Sequence, residues 1–176
     1  MLNNIYLTGL PEPTEEPTSP TTAVQTTSSQ SQGGKAELYN AAFADGSYHD
    51  DGTYILKPEY AIDGVIQYPE ADKATSFAHS DGSPIFTANL RESCNVTEII
   101  LYPRRYCCWQ RYGSLKAYIN DIECTATAVF DETYVKANLD TGLKFTCDAN
   151  VMGTEVKVST SDILQIGELE AYCAAA

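Results

Sequence analysis

Six cysteines, Cys94, Cys107, Cys108, Cys124, Cys147 and Cys173, lie in the second half of the chain and set the first limit on what it can fold into. Their number is even. No C-x2-C pair occurs, and the only histidines, His49 and His79, are not near them in sequence. Zinc sites need such pairs or adjacent imidazoles, so the spacing points to a disulfide framework made in an oxidising, extracellular compartment. The triplet Asn95-Val96-Thr97 agrees with that compartment, as an acceptor for an N-linked glycan.

Around these cysteines the chain alternates short β-forming runs with turns. Phe86 to Leu90 is such a run and ends at a polar break. Val96 to Tyr102 is β-branched and apolar up to Pro103, Leu115 to Ile119 and Leu143 to Cys147 alternate, Thr154 to Ser159 puts Val156 and Val158 on one face, and Ile163 to Tyr172 closes the series. No fifteen-residue window carries a helical period. The expected fold is all-β, a jelly-roll β-sandwich over residues 35–173 followed by a tail at 174–176, with function on its loops.

Residues 11–34 differ in kind. Fourteen of these twenty-four residues are Ser, Thr or Pro and Val24 is the one large aliphatic residue, so the segment cannot bury enough surface to fold alone. It reads as an extended, O-glycosylated stalk. Before it, within residues 1–10, Asn4-Ile5-Tyr6-Leu7-Thr8 is a strand candidate that could add to the open sheet edge of another molecule. MLNNIYLTGL has no basic start and too short an apolar run for a secretory signal. The ending Cys173-Ala174-Ala175-Ala176 fits a prenylation box in form, but that cytosolic modification conflicts with disulfide chemistry.

Charge and motifs remove several function classes. A formal net charge of −13 repels polyanions, which argues against nucleic acid and anionic membrane surfaces, and no run of eighteen apolar residues would span a bilayer. G-x-S-x-G, P-loop and H-E-x-x-H motifs are missing and the carboxylates are scattered, so no enzyme activity is expected.

The stretch YPRRYCCWQRYG, Tyr102 to Gly113, concentrates cationic side chains in this acidic chain. Cys107 and Cys108 could join each other, although their Cα atoms are at most about 3.8 Å apart, below the usual span of about 4.4–6.8 Å. Such a pair would form a stiff, flat, sulfur-rich ledge. Guanidiniums beside it supply forks of donors that suit hydroxyls and ring oxygens, while sugar C–H groups lie on the ledge. The alternative is that both cysteines pair elsewhere and the arginines balance a negative surface. Trp109 is expected at the rim as a sugar platform, with a core plug as the alternative. His49 reads as part of a polar surface turn, Asp45 to Gly52, with the pocket rim as the alternative.

The segment Arg104-Arg105-Tyr106-Cys107-Cys108-Trp109-Gln110-Arg111 resembles the signature of the F-type lectin (fucolectin) family, a His, a spacer, then R-x-D-x4-R/K around a vicinal Cys-Cys. Arg104 and Arg111 stand at the sugar-binding positions, and His79 would be the third polar contact. Tyr60-Ala61-Ile62-Asp63-Gly64 resembles the early turn of that family, Pro84 to Leu90 its P-W-W-x-V-D-L strand without the tryptophans, and Gly167 to Tyr172 its closing strand. Tyr106 departs from the motif's aspartate, and Phe77 and Gly167 stand where the family often has a disulfide.

The resemblance implies a vicinal Cys107–Cys108 disulfide, a Cys124–Cys147 disulfide, fucose-type binding through His79, Arg104 and Arg111, and a structural Ca2+. The calcium ligands would be the Asp63 and Glu168 carboxylates, Ser76, and carbonyls around Tyr60, Val65 and Gly167, all hard oxygens. Cys94 and Cys173 have no counterpart in that template and are expected to join each other, pinning the last strand.

The expectation is thus an extracellular carbohydrate-binding domain, glycan as partner, displayed in many copies on its stalk. The alternative is a structural subunit of an extracellular glycoprotein filament, a homo-oligomer assembled by N-terminal strand addition with the lectin fold as scaffold.

Overall fold

A computed structural model of the chain describes residues 34–66 and 77–175. The strand expected at residues 4–8, the stalk up to residue 33 and the candidate ligand Ser76 lie outside the described residues.

Among the described residues nine strands follow in chain order: β1 Leu38–Phe43, β2 Ala78–His79, β3 Ile85–Tyr102, β4 Lys116–Ile119, β5 Ile122–Ala126, β6 Leu143–Thr146, β7 Met152–Ser159, β8 Gln165–Ile166 and β9 Glu168–Cys173. β3 organises the rest. Its first part pairs antiparallel with β1 through Phe86–Leu90 and with β7 through Ile85–Asn95, whereas Val96–Tyr102 pairs with β9 and Glu98–Leu101 with β6. One strand therefore belongs to both layers of the sandwich.

The expected polar break within β3 is not a break in the strand. Arg91, Glu92 and Ser93 are exposed where the strand passes between layers, and the pairing with β7 shifts register between Asn89 and Cys94. Such a bulge bends a strand without ending it. β5 makes the same passage, pairing with β4 through Ile122–Cys124 and with β6 through Thr125–Ala126. Hydrogen bonds thus run from β3 through β6, β5, β4 and β7 back to β3, which leaves β1 and β9 outside this circle.

The apolar faces meet between the layers. Phe43, Phe86, Ile99, Leu101, Phe145, Val156, Val158 and Leu169 belong to one buried cluster, and each such side chain stabilises the fold by about 1.5–3 kcal/mol. Ile99 to Tyr102 are all buried, so this end of β3 is covered on both faces.

A helix that the sequence pattern did not announce, α1, spans Glu132–Ala137. Six residues are too few for a visible period. Asp131 caps it by accepting the Tyr134 N–H (2.8 Å), and Glu132 pairs with Lys136 one turn on (2.6 Å).

Three disulfides account for all six cysteines: Cys94–Cys173 ties β3 to β9, Cys124–Cys147 ties β5 to the residue after β6, and Cys107–Cys108 closes on itself with Cα atoms 3.8 Å apart. Gly34 to Ala36 lead into the domain along the outer edge of β9. The Cys173 N–H donates to the Gly34 carbonyl (2.9 Å) and the Ala36 N–H to the Ala171 carbonyl (2.7 Å).

Candidate functional site

β3 ends at Pro103, which cannot donate to a ladder, and the chain turns into the loop 103–114. Cys108 adopts a left-handed φ of 67°, and its carbonyl accepts the Arg111 N–H (3.1 Å), starting the 3-10 turn Trp109–Ser114. Arg105 leaves the site to pair with Asp140 at 2.6 Å.

The base of the loop is held by Tyr112, which is 2 % exposed. Its hydroxyl accepts the Arg104 backbone N–H (2.8 Å) and donates to the Gln165 carbonyl (2.7 Å). Burial pushes that phenol well above its ordinary pKa, so it stays a donor.

His79 arrives from a separate two-stranded ladder in which β2 pairs with β8, His79 opposite Gln165. The Gln165 Nε2 and His79 Nε2 atoms lie 3.3 Å apart. Burial first, then the positive charges of His49, Arg104 and Arg111, hold the His79 imidazole down to about 4, with Asp81 acting in the opposite direction. The fold thus brings His79, from β2, close to the loop that carries both Arg104 and Arg111, with Phe77 between His79 and Arg104. A neutral imidazole beside two guanidiniums offers donors and an acceptor but no net attraction for a cation.

His49 sits closer to this cluster than the polar-turn reading expected. The turn exists, with Asp50 and Asp51 carboxylates accepting backbone N–H groups of residues 52–54, but the His49 ring stacks on His79 at 5.2 Å between centroids. Its nitrogens lie 3.5 Å from Asp81 and 3.7 Å from Asp51. Backbone bonds on both sides of His49, its N–H to the His79 carbonyl and the Leu56 N–H to the His49 carbonyl (each 2.9 Å), hold its main chain beside β2.

Trp109 is half-buried against the core, and the Lys136 ammonium lies 4.6 Å over its ring. An ammonium on the ring face competes with a sugar for that face, so the geometry agrees with the core-plug alternative and not with an open platform. Tyr106 is exposed, 40 % of its surface facing solvent. Gln165, 2 % exposed, supports the cluster without drawing notice in the sequence, where it sits in a run that reads as ordinary strand; Phe77, 3 % exposed under Arg104, stands out there only as the position of a family disulfide.

The carboxylates suggested for calcium border a cleft of about 180 Å³ that is also lined by Lys35 to Leu38. The Gly64 N–H reaches both Glu168 oxygens (3.1 and 3.2 Å), Asp63 Oδ1 accepts the Val65 N–H (2.9 Å), and Lys35 Nζ lies 3.7 Å from Glu168 and 2.7 Å from Glu170. Burial pushes the Glu168 carboxyl up to about 8, while Lys35 and the Gly64 N–H act to lower it. Carboxylate oxygens bordering a cleft are compatible with a hard cation beside them, although among the described residues no three His, Cys, Asp or Glu side chains gather as a ready ligand set.

The site is thus a cluster of imidazole and guanidinium donors at one end of a two-layer β-sandwich. Solved structures bear out the fold. A fucolectin from striped bass (Morone saxatilis) serum superposes with a TM-score of 0.53 at 19 % identity, covering 81 % of this chain and 47 % of its own, so the present chain spans about half that protein's length. A fucose binding module of Streptococcus pneumoniae gives 0.55 at 17 % identity over 79 % of this chain and 95 % of its own. The family 32 CBM of C. perfringens NanJ, solved with galactose, gives 0.55 at 19 % identity over 80 % and 98 %. No protein-family model and no curated protein matches the sequence. The fold is the jelly-roll sandwich of F-type lectins and discoidin-like modules.

Proposed function

We propose that the chain is an extracellular carbohydrate-binding domain of fucose-type, lectin-like specificity, displayed in several copies on the segment 11–34. One observation carries this reading: His79 on β2 lies close to Arg104, and Arg104 and Arg111 share the loop that holds the Cys107–Cys108 disulfide. In this reading Arg104 and Arg111 donate to sugar hydroxyls and the ring oxygen. Neutral His79 completes the polar face, and the disulfide receives the sugar's C–H surface. The likeness in fold to fucose- and galactose-binding modules supports the ligand class.

Display is supported by where the chain enters. Tyr102 pairs with Glu168 at the pocket end of β9, whereas Val96 pairs with Cys173 beside Gly34 at the other, about 17 Å away at about 3.3 Å per residue. A tether rooted there leaves the pocket facing outward. Asn95 is exposed at the same far end, so an N-linked glycan on it would not cover the pocket. The disulfides support extracellular placement. Among the described residues no helix is long and apolar enough to cross a membrane.

Calcium in this reading is structural, held by Asp63 and Glu168 with carbonyls of Tyr60, Val65 and Gly167. It would favour the ionised form of Glu168, which burial otherwise disfavours, and stiffen the turn at Asp63–Gly64.

The test is a glycan-binding screen of the full, oxidised chain with Ca2+. Binding to fucosylated or galactosylated glycans that is lost in Arg104→Ala and Arg111→Ala is expected. Binding undiminished in both variants, or none from folded protein, overturns the reading. Size-exclusion chromatography with and without residues 1–34 measures whether that segment multiplies the sites.

A further inference from the structure

We propose that Phe77 is a positioning residue for Arg104: its ring is the platform that sets the plane of the guanidinium. This rests on the reading of Arg104 as a sugar-binding group, but its geometry stands apart from any ligand. The Arg104 guanidinium carbon lies 4.6 Å from the centroid of the Phe77 ring, and Phe77 is 3 % exposed, so the contact is shielded from water. A buried phenylalanine is ordinarily surrounded by aliphatic groups. Here one face of the ring meets a cation instead, which its quadrupole attracts.

The need for such a platform follows from the side chain. Arginine has four rotatable torsions, and an arginine on a loop loses most of its rotamer freedom when it is held for a ligand. The Tyr112 hydroxyl pins only the Arg104 backbone N–H. The aromatic face constrains the other end, since a guanidinium stacked on a ring keeps its N–H donors in one plane, aimed sideways.

Phe77 also links Arg104 to the rest of the pocket. It immediately precedes β2, its ring lies 6.0 Å from that of His79, and His79 stacks in turn on His49 at 5.2 Å. A row of three rings thus carries Arg104 at one end and contains His79 in the middle. Movement of Phe77 would displace both groups together, so the two sugar-facing donors share one foundation.

The experiment uses the full-length chain with methyl L-fucoside and methyl D-galactoside as probes. It compares wild type with Phe77→Leu, which keeps an apolar plug but no π face, and Phe77→Tyr, which keeps the face. The Arg104 Nε–H resonance, identified through its loss in Arg104→Lys, reports the stacking without any sugar. In wild type it is expected upfield of the exposed arginines, because it lies over the ring. Phe77→Leu is expected to return it to the exposed position and weaken probe binding by about 5- to 30-fold, the range for a shielded cation–π contact, and Phe77→Tyr to restore both.

An Arg104 resonance at the exposed position in wild type overturns the proposal, whether or not the variants fold. So does folded Phe77→Leu with unchanged resonance and affinity. Should wild type bind neither probe while the resonance shifts as expected, the positioning stands and the lectin reading of the pocket fails.

Discussion

The three disulfides are expected to separate stability from binding. Cross-linking restricts the unfolded chain in proportion to the logarithm of the loop it closes. Cys94–Cys173 closes a separation of 79 residues, Cys124–Cys147 one of 23 and Cys107–Cys108 one of 1. The loop-closure relation gives about 4.5, about 3.4 and less than about 1 kcal/mol respectively. Cys94→Ala/Cys173→Ala should therefore lower Tm by roughly 9–18 °C at about 2–4 °C per kcal/mol, and Cys107→Ala/Cys108→Ala by only a few degrees. Binding should show the reverse order. A sugar face laying about 50 Å² of C–H surface on the vicinal ledge gains about 1.3 kcal/mol, so its loss costs roughly tenfold in Kd. Denaturant titration of each double variant and calorimetric titration with methyl L-fucoside measure the two quantities. A vicinal variant destabilised by more than about 2 kcal/mol, or one binding as well as wild type, would refute the division of roles.

Three further outcomes are expected. The folded His79 holds off its proton until about pH 4, whereas in the unfolded chain it titrates near 6.5. The unfolded state therefore gains protons first, and stability falls as pH drops from 6.5 to 4, by about 1–2 kcal/mol after allowance for solvent screening, an effect that His79→Gln should remove from a pH series of denaturation curves. Gly142→Ala forces a side chain onto a φ of 74° and its Cβ onto the Ile100 side chain and against Leu101 and Tyr102, so thermal melts should show a loss of about 3 kcal/mol, on the order of 10 °C. Millimolar Ca2+ is expected to raise Tm, with chelator reversing the rise and Glu168→Ala removing it; equal melting curves in all conditions would count against the calcium site.

What the sequence alone determined was the kind of object and the composition of one loop. Even cysteines without metal spacing, β-branched runs divided by turns and the lack of helical period led to an all-β sandwich closed by disulfides, because period-two burial and cysteine oxidation are local or compositional effects. The loop from Arg104 to Arg111 could be singled out for the same reason, since its cationic residues and adjacent cysteines are contiguous. Tertiary structure decided how β3 passes through both layers, since Arg91 to Ser93 look like a break until the bulge shows the strand bending there. It decided that Gln165 lies opposite His79, that His49 stacks on that ring and that Phe77 lies under Arg104, each contact joining residues 26 or more positions apart. It also put Lys136 over Trp109. Such contacts depend on which strand ends meet at the pocket, and that is set by the register of the whole sandwich, not by the character of any single segment.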